Sequence, residues 1–185
     1  MKNLPNILTL SRIALLPILI GLMYGEYYYG AKAAWAALGV YIIIALTDFF
    51  DGWIARKYKT SSAFGAFLDP VADKIFVGVI LVALVGFNRL PGIWMVPAMI
   101  IIAREFMVSG LREYLGSKNV PMPVSNLAKW KTATQMIAVA FLIIGPHMPG
   151  AWIFGQWMII LAAILTVVTG GAYLKTGLDH MRKST

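Results

Sequence analysis

Charge-free apolar runs recur six times along the chain, at Ile13–Gly25, Ala33–Thr47, Ile75–Asn88, Leu90–Ala103, Thr132–Ile144 and Ala151–Leu174. They predict six membrane-crossing helices, the last two parted by the breaker cluster Gly145-Pro146-His147-Met148-Pro149-Gly150. Only the final run reaches the ~20 residues that a helix needs to cross the hydrocarbon. The other five must therefore draw flanking polar residues into the membrane zone.

Composition agrees with this pattern. Hydrophobic residues make up 59% of the chain and charged ones 13%, against about 25% charged in soluble domains, which argues against a water-soluble globule. The net charge of +8 does not signal nucleic acid, because the basic residues flank apolar runs. With a cytoplasmic N-terminus, every Lys and Arg except Lys32 and Arg89 lies at an inner end, as the positive-inside rule requires. The expectation is an all-α integral membrane protein of six transmembrane helices, one domain over residues 1–185, with both termini cytoplasmic. The absence of Cys excludes thiolate zinc sites, disulfides and a Cys nucleophile.

On its inner side each short run borders a charge: Arg12, Asp48, Lys74, Arg104 or Lys131. Long basic side chains can snorkel to the headgroups, whereas short carboxylates cannot reach so far. A polar cavity open to the cytoplasm would satisfy both.

The chemistry concentrates between Thr47 and Lys74. Asp48, Asp51, Gly52 and Ala55 fall on one helical stripe with Arg56 at its edge, and Ser62, Gly65, Asp69 and Asp73 fall on a second. Four carboxylates at membrane depth repel one another and are costly to bury unless cations neutralise them. Hard divalent ions with oxygen ligands, Mg²⁺ or Mn²⁺, fit best, and four carboxylates suit two ions. Plainer readings stand beside this one: small residues that let helices approach, an ion-pair network with Arg56, Lys57 and Lys74, or a divalent-cation transporter whose carboxylates line an ion path.

The spacing D-x2-D-G-x2-A-R-x8-G-x3-D-x3-D, complete from Asp48 to Asp73, resembles the signature of the CDP-alcohol phosphatidyltransferases. The resemblance implies a homodimer of six-helix subunits that transfers a phosphatidyl or related group from a CDP-linked donor to an alcohol, releasing CMP. By position it assigns the metals to Asp48, Asp51, Asp69 and Asp73, with Asp73 also the general base. Gly52, Ala55, Arg56, Ser62 and Gly65 would form the CDP site. Bridging cations neutralise a pyrophosphate donor for attack at phosphorus, and a carboxylate beside them can take the acceptor's proton.

The N-terminal LPNILTLSRI, the pair Arg104-Glu105 and the later AKWKT resemble the bacterial phosphatidylglycerophosphate synthases, a branch of that family. The implied substrates are CDP-diacylglycerol and glycerol 3-phosphate, in a bacterial cytoplasmic membrane with the active site facing the cytoplasm. Arg12, Arg104, Arg112, Lys129 and Lys131 are the candidate clamp for the acceptor phosphate. For each of them the alternative is attraction to anionic headgroups or a local pair such as Arg112 with Glu113. A sibling acceptor, such as inositol phosphate, serine or phosphatidylglycerol, also fits the signature.

Overall fold

Three turns of the chain fall at residues with positive φ, Gly30, the pair Asn88 and Gly92, and Gly150. In a computed structural model, which describes residues 4–58, 63–118, 120 and 126–183, six helices account for almost all of the path: α1 (Leu4–Tyr29), α2 (Ala31–Tyr58), α3 (Ala63–Gly86), α4 (Met95–Ser117), α5 (Asn126–Ile144) and α6 (Ala151–Lys183). Within them, the side chains of 4–8, 48–58, 63–67, 69, 117 and 179–183 are not described. Gly30, at φ 58°, is the one residue between α1 and α2. Its N–H returns to the Glu26 carbonyl at 2.9 Å, which satisfies an orphan acceptor at the helix end.

Between α3 and α4, Asn88 and Gly92 take positive φ and a 3-10 turn spans Gly92–Trp94. The apolar run from Leu90 therefore becomes α-helical only at Met95, after Pro91 and Gly92 have turned the chain. The breaker cluster at 145–150 forms a second such turn between α5 and α6.

Each helix overruns its apolar run most at the end that carries charge. Asp48 and Asp51 fall within α2, Asp69 and Asp73 within α3, Arg104 and Glu105 within α4, and Lys131 within α5. Pro70, with seven residues of α3 before it, is interior to the helix rather than in its first turn. Chain direction brings these segments to one end of the bundle, together with the start of α1 and the last turns of α6.

α1 and α2 pack as a hairpin, as do α5 and α6; α3 lies against α1 and α4, α4 against α6, and α2 against α5. The shared core includes Leu19, Tyr41, Ile44, Leu84, Ile101 and Leu142. Outside it, Ile18, Val82, Ile93, Ile153, Val167 and Val168 are exposed, and helices apolar on all sides suit a lipid surround. Among the described residues four segments are long and apolar enough to cross a membrane, 9–29, 92–116, 126–147 and 151–178, and 31–47 is a shorter apolar helix.

In lipid the apolar faces gain little by meeting one another, so close packing and polar bonds hold such helices together. At the end away from the carboxylate stripes, Glu26 of α1 pairs with Arg89 in the turn before α4. Its other oxygen, Oε1, lies 2.9 Å from Nε2 of His147 in the turn before α6. Trp152 Nε1 donates to the Arg89 carbonyl at 2.7 Å. One carboxylate thus ties α1 to both turns. Glu26 and Arg89 each keep 12% side-chain exposure, and stripping one partner from a buried pair typically costs several kcal/mol. Glu26→Ala is expected to lose about 3 kcal/mol, read as earlier thermal unfolding in detergent. An unchanged melting temperature would show that the pair contributes nothing.

Candidate active site

Arg12, the residue just before the apolar run of α1, is buried, with 5% of its side chain exposed. Its Nη1 donates to Asp73 Oδ1 at 2.7 Å. The partner carboxylate is 58% exposed, so the pair has one anchored member and one open to its surroundings. Both line a cavity of about 160 Å³ between α1, α2, α3, α4 and α5.

The deeper wall of this cavity is apolar, with Ile44, Phe76, Ile80 and Val139. Tyr41 stacks on Phe76 with ring centroids 6.0 Å apart, and its hydroxyl donates to the Met136 carbonyl at 3.0 Å. This contact commits the phenol's proton to α5 and closes the cavity toward the middle of the bundle.

Charge enters from the other side. Arg12, Lys74 and Lys131 face the cavity together with Asp73 and Glu105, so its described wall carries three cations and two carboxylates. Lys131 Nζ donates to Glu105 Oε1, and Arg104 Nη1 donates to the same oxygen at 3.2 Å. The Arg104 Nη2 donates to Thr169 Oγ1 at 3.0 Å. Such a wall can receive a small anion, and its carboxylates can accept a proton from a bound hydroxyl.

Of the five cations in the candidate clamp, Arg12 and Lys131 face the cavity. Arg104 turns toward α6, Arg112 is exposed with its guanidinium carbon 5.6 Å from the Tyr173 ring centroid, and Lys129 is exposed. Arg112 therefore has an aromatic partner in place of the local pair with Glu113.

The donor-site positions are described less fully. Asp48, Asp51, Gly52, Ala55 and Arg56 lie in α2, and Gly65 and Asp69 in α3, with their side chains outside the described residues; Ser62 is outside them entirely. Position 48 lies one helical turn beyond Ile44 and Ala45, which line the cavity. Among the described residues no group of three or more His, Cys, Asp or Glu side chains gathers for a metal ion.

The sequence offered Lys74 as an inner-side charge for a polar cavity and as an ion-pair partner but not as a site residue, and it gave Tyr41 and Gln135 no role, yet all three line the cavity. Lys74 had a signal in its place beside Asp73. Tyr41 and Gln135 had none, since each is a single polar group in an apolar run.

A sequence model of the CDP-alcohol phosphatidyltransferase family matches residues 2–168. The chain is 44% identical over 178 residues to a CDP-diacylglycerol–glycerol-3-phosphate 3-phosphatidyltransferase of Rickettsia typhi, covering 95% of this chain and 97% of that one. It is 45% identical over 153 residues to a CMP-forming cardiolipin synthase of Oryza sativa, covering 76% of this chain and 45% of that one. In fold it is similar to the crystal structure of Mycobacterium tuberculosis phosphatidylinositol phosphate synthase in complex with manganese and citrate. That likeness has a TM-score of 0.56 and 18% identity, over 95% of this chain and 82% of that one.

Proposed function

The chain belongs to the CDP-alcohol phosphatidyltransferase family, and we propose that it transfers the phosphatidyl group of CDP-diacylglycerol to glycerol 3-phosphate, giving phosphatidylglycerol phosphate and CMP. The observation that carries the choice of acceptor is the cavity at Arg12, Asp73 and Lys131. Its volume of about 160 Å³ is below the ~300–1,000 Å³ of pockets for drug-sized ligands. A three-carbon phosphate suits it, and the cations Arg12, Lys74 and Lys131 on its wall match the charge of that phosphate. The name of the Rickettsia relative supports the same substrates.

In this reading Arg12 and Lys131 bind the acceptor phosphate, and Asp73 accepts the proton of the attacking hydroxyl. The new P–O bond forms as the bond from phosphorus to the CMP oxygen breaks, and CMP leaves with the electron pair. The apolar wall of Ile44, Ile80 and Val139 keeps water from competing as the nucleophile. Gly52, Ala55, Arg56, Ser62 and Gly65 form the CDP site, and the donor's tails stay in the bilayer.

Asp48, Asp51, Asp69 and Asp73 hold two divalent ions, Mg²⁺ or Mn²⁺. The donor set fits, because carboxylate oxygen is the ligand these hard cations take and the exposed Asp73 carboxylate faces the cavity. Bound there, such ions neutralise the pyrophosphate of the donor. The protein crosses a bacterial cytoplasmic membrane six times as a homodimer, with both termini and the active site cytoplasmic. The basic asymmetry of the sequence supports this orientation.

The test is CMP release by the purified protein from CDP-diacylglycerol, with glycerol 3-phosphate, glycerol, serine, inositol phosphate and phosphatidylglycerol offered in turn. Release is expected with glycerol 3-phosphate, lost in chelator and restored by Mg²⁺ or Mn²⁺. Release with phosphatidylglycerol or inositol phosphate instead would move the chain to a sibling activity, and full turnover in chelator would refute the metal site.

A further inference from the structure

We infer that Arg104 is a positioning residue: braced by α6, it fixes Glu105 and, through Glu105, the Lys131 ammonium on the cavity wall. The inference rests on the proposed reading of that cavity as the acceptor site.

Arg104 lies along a surface of α6 shaped to receive it. A Cβ at position 170 would stand 2.9 Å from Arg104 Cγ and 3.2 Å from its Nε, so only glycine leaves room for this side chain as placed. One turn on, the Tyr173 ring centroid is 5.7 Å from the guanidinium carbon, a cation–π distance. One residue earlier, Thr169 Oγ1 takes the bond from Nη2 at 3.0 Å, and that oxygen lies 2.8 Å from the Leu165 carbonyl. Gly177 admits Leu111 of α4 in the same manner, with a Cβ there falling 2.7 Å from Leu111 Cδ1. Close packing of α4 on α6 thus sets where Arg104 can go.

Each terminal nitrogen of Arg104 makes one bond, Nη2 to Thr169 and Nη1 to Glu105, and the residue is not on the cavity wall. Lys131 differs in its place. Its ammonium has three donors, bonds Glu105 with one, and lines the cavity. A lysine on its four-carbon stem is a mobile point charge, and a bond to a fixed carboxylate removes that freedom before a ligand arrives.

Glu105 alone would set a negative charge against an incoming phosphate. Arg104 offsets it, so that Arg104, Glu105 and Lys131 together carry one net positive charge, with Lys131 as their cation on the wall. The arrangement explains how a carboxylate can stand in the wall of a phosphate site.

The test is a set of double-mutant cycles on the full-length protein, reading the KM for glycerol 3-phosphate, the KM for CDP-diacylglycerol and kcat. Lys131→Ala is expected to raise the acceptor KM by about 10-fold or more, the scale of one charge-assisted hydrogen bond, with the donor KM little changed. Thr169→Val, Gly170→Ala and Glu105→Gln should each raise the acceptor KM by a smaller factor, and each effect should vanish in the Lys131→Ala background. Thr169→Val nearly preserves side-chain shape and carries the test if Gly170→Ala does not fold. Where turnover is too slow to measure, the rise in melting temperature produced by glycerol 3-phosphate replaces KM.

Acceptor-selective effects absorbed by Lys131→Ala support the positioning role. If Lys131→Ala is acceptor-selective but the α6 and Glu105 variants are neutral or fully additive to it, the positioning role is wrong and the proposed function stands. The positioning role fails in the same way if Arg104→Ala adds a full further loss to Lys131→Ala, since Arg104 would then bind the phosphate itself. If Lys131→Ala raises both KM values alike or neither, the acceptor-site reading fails and the inference fails with it.

Discussion

Asp73→Asn is expected to lower kcat by about 10² to 10⁴-fold, the range for loss of a general base, while the KM for CDP-diacylglycerol changes little. Asn matches Asp in size, and its amide oxygen can still accept the Arg12 bond seen at 2.7 Å. What it removes is the negative charge and the capacity to take a proton. Because Asp73 is also proposed to hold metal, the loss should lie toward the upper end of that range. Asp73→Glu retains the carboxylate but displaces it by a methylene. It should recover part of the rate, since proton transfer depends on placement within hydrogen-bond reach. Steady-state CMP release at saturating acceptor measures both variants. Near-normal turnover by Asp73→Asn would locate the proton acceptor elsewhere.

The six helices were legible in the sequence because each apolar run is flanked by charge or by Gly and Pro, and these signals are local. Helix ends were less legible. Charged residues after an apolar run usually mark water, but here Asp48, Asp73, Arg104 and Lys131 continue regular helix, with the described ones gathered around shared polar contacts. Hydropathy registers the charge and not the partner that lets it stay.

The candidate site was legible to the same depth. The stripe ending at Asp73 could be counted, because helical phase follows from residue number. The ion pair between Arg12 and Asp73 spans 61 positions, and the link between His147 and Glu26 spans 121; no periodicity connects residues so far apart. The contact between Arg104 and Glu105 was hidden for another reason. Adjacent residues on a helix do not face each other, so neither the resemblance that marked the pair nor the clamp role given to Arg104 pointed to a bond between them. Their meeting at Glu105 Oε1 depends on Lys131 of α5 and Thr169 of α6. The cations that the charge count treated as equals therefore separate into wall, brace and surface only once the helices are packed.

That separation makes Arg12 the cation whose loss should do most harm. It is the member of the clamp that both faces the cavity and bonds the proposed base. Arg12→Ala should raise the acceptor KM by about 10-fold or more through loss of a charge-assisted contact to phosphate. It should also lower kcat, because the Asp73 carboxylate loses a bond that helps to place it. Arg12→Lys restores charge without the planar fork, so it should recover part of the acceptor affinity and less of kcat. Lys129→Ala is the control: exposed on α5 and off the cavity wall, it should shift the two substrates alike or neither. Kinetics of the three variants with each substrate varied in turn decide the matter. A change confined to protein yield or membrane insertion would make Arg12 a structural anchor, and equal effects of Arg12→Ala and Lys129→Ala would deny the cavity any special claim on the phosphate.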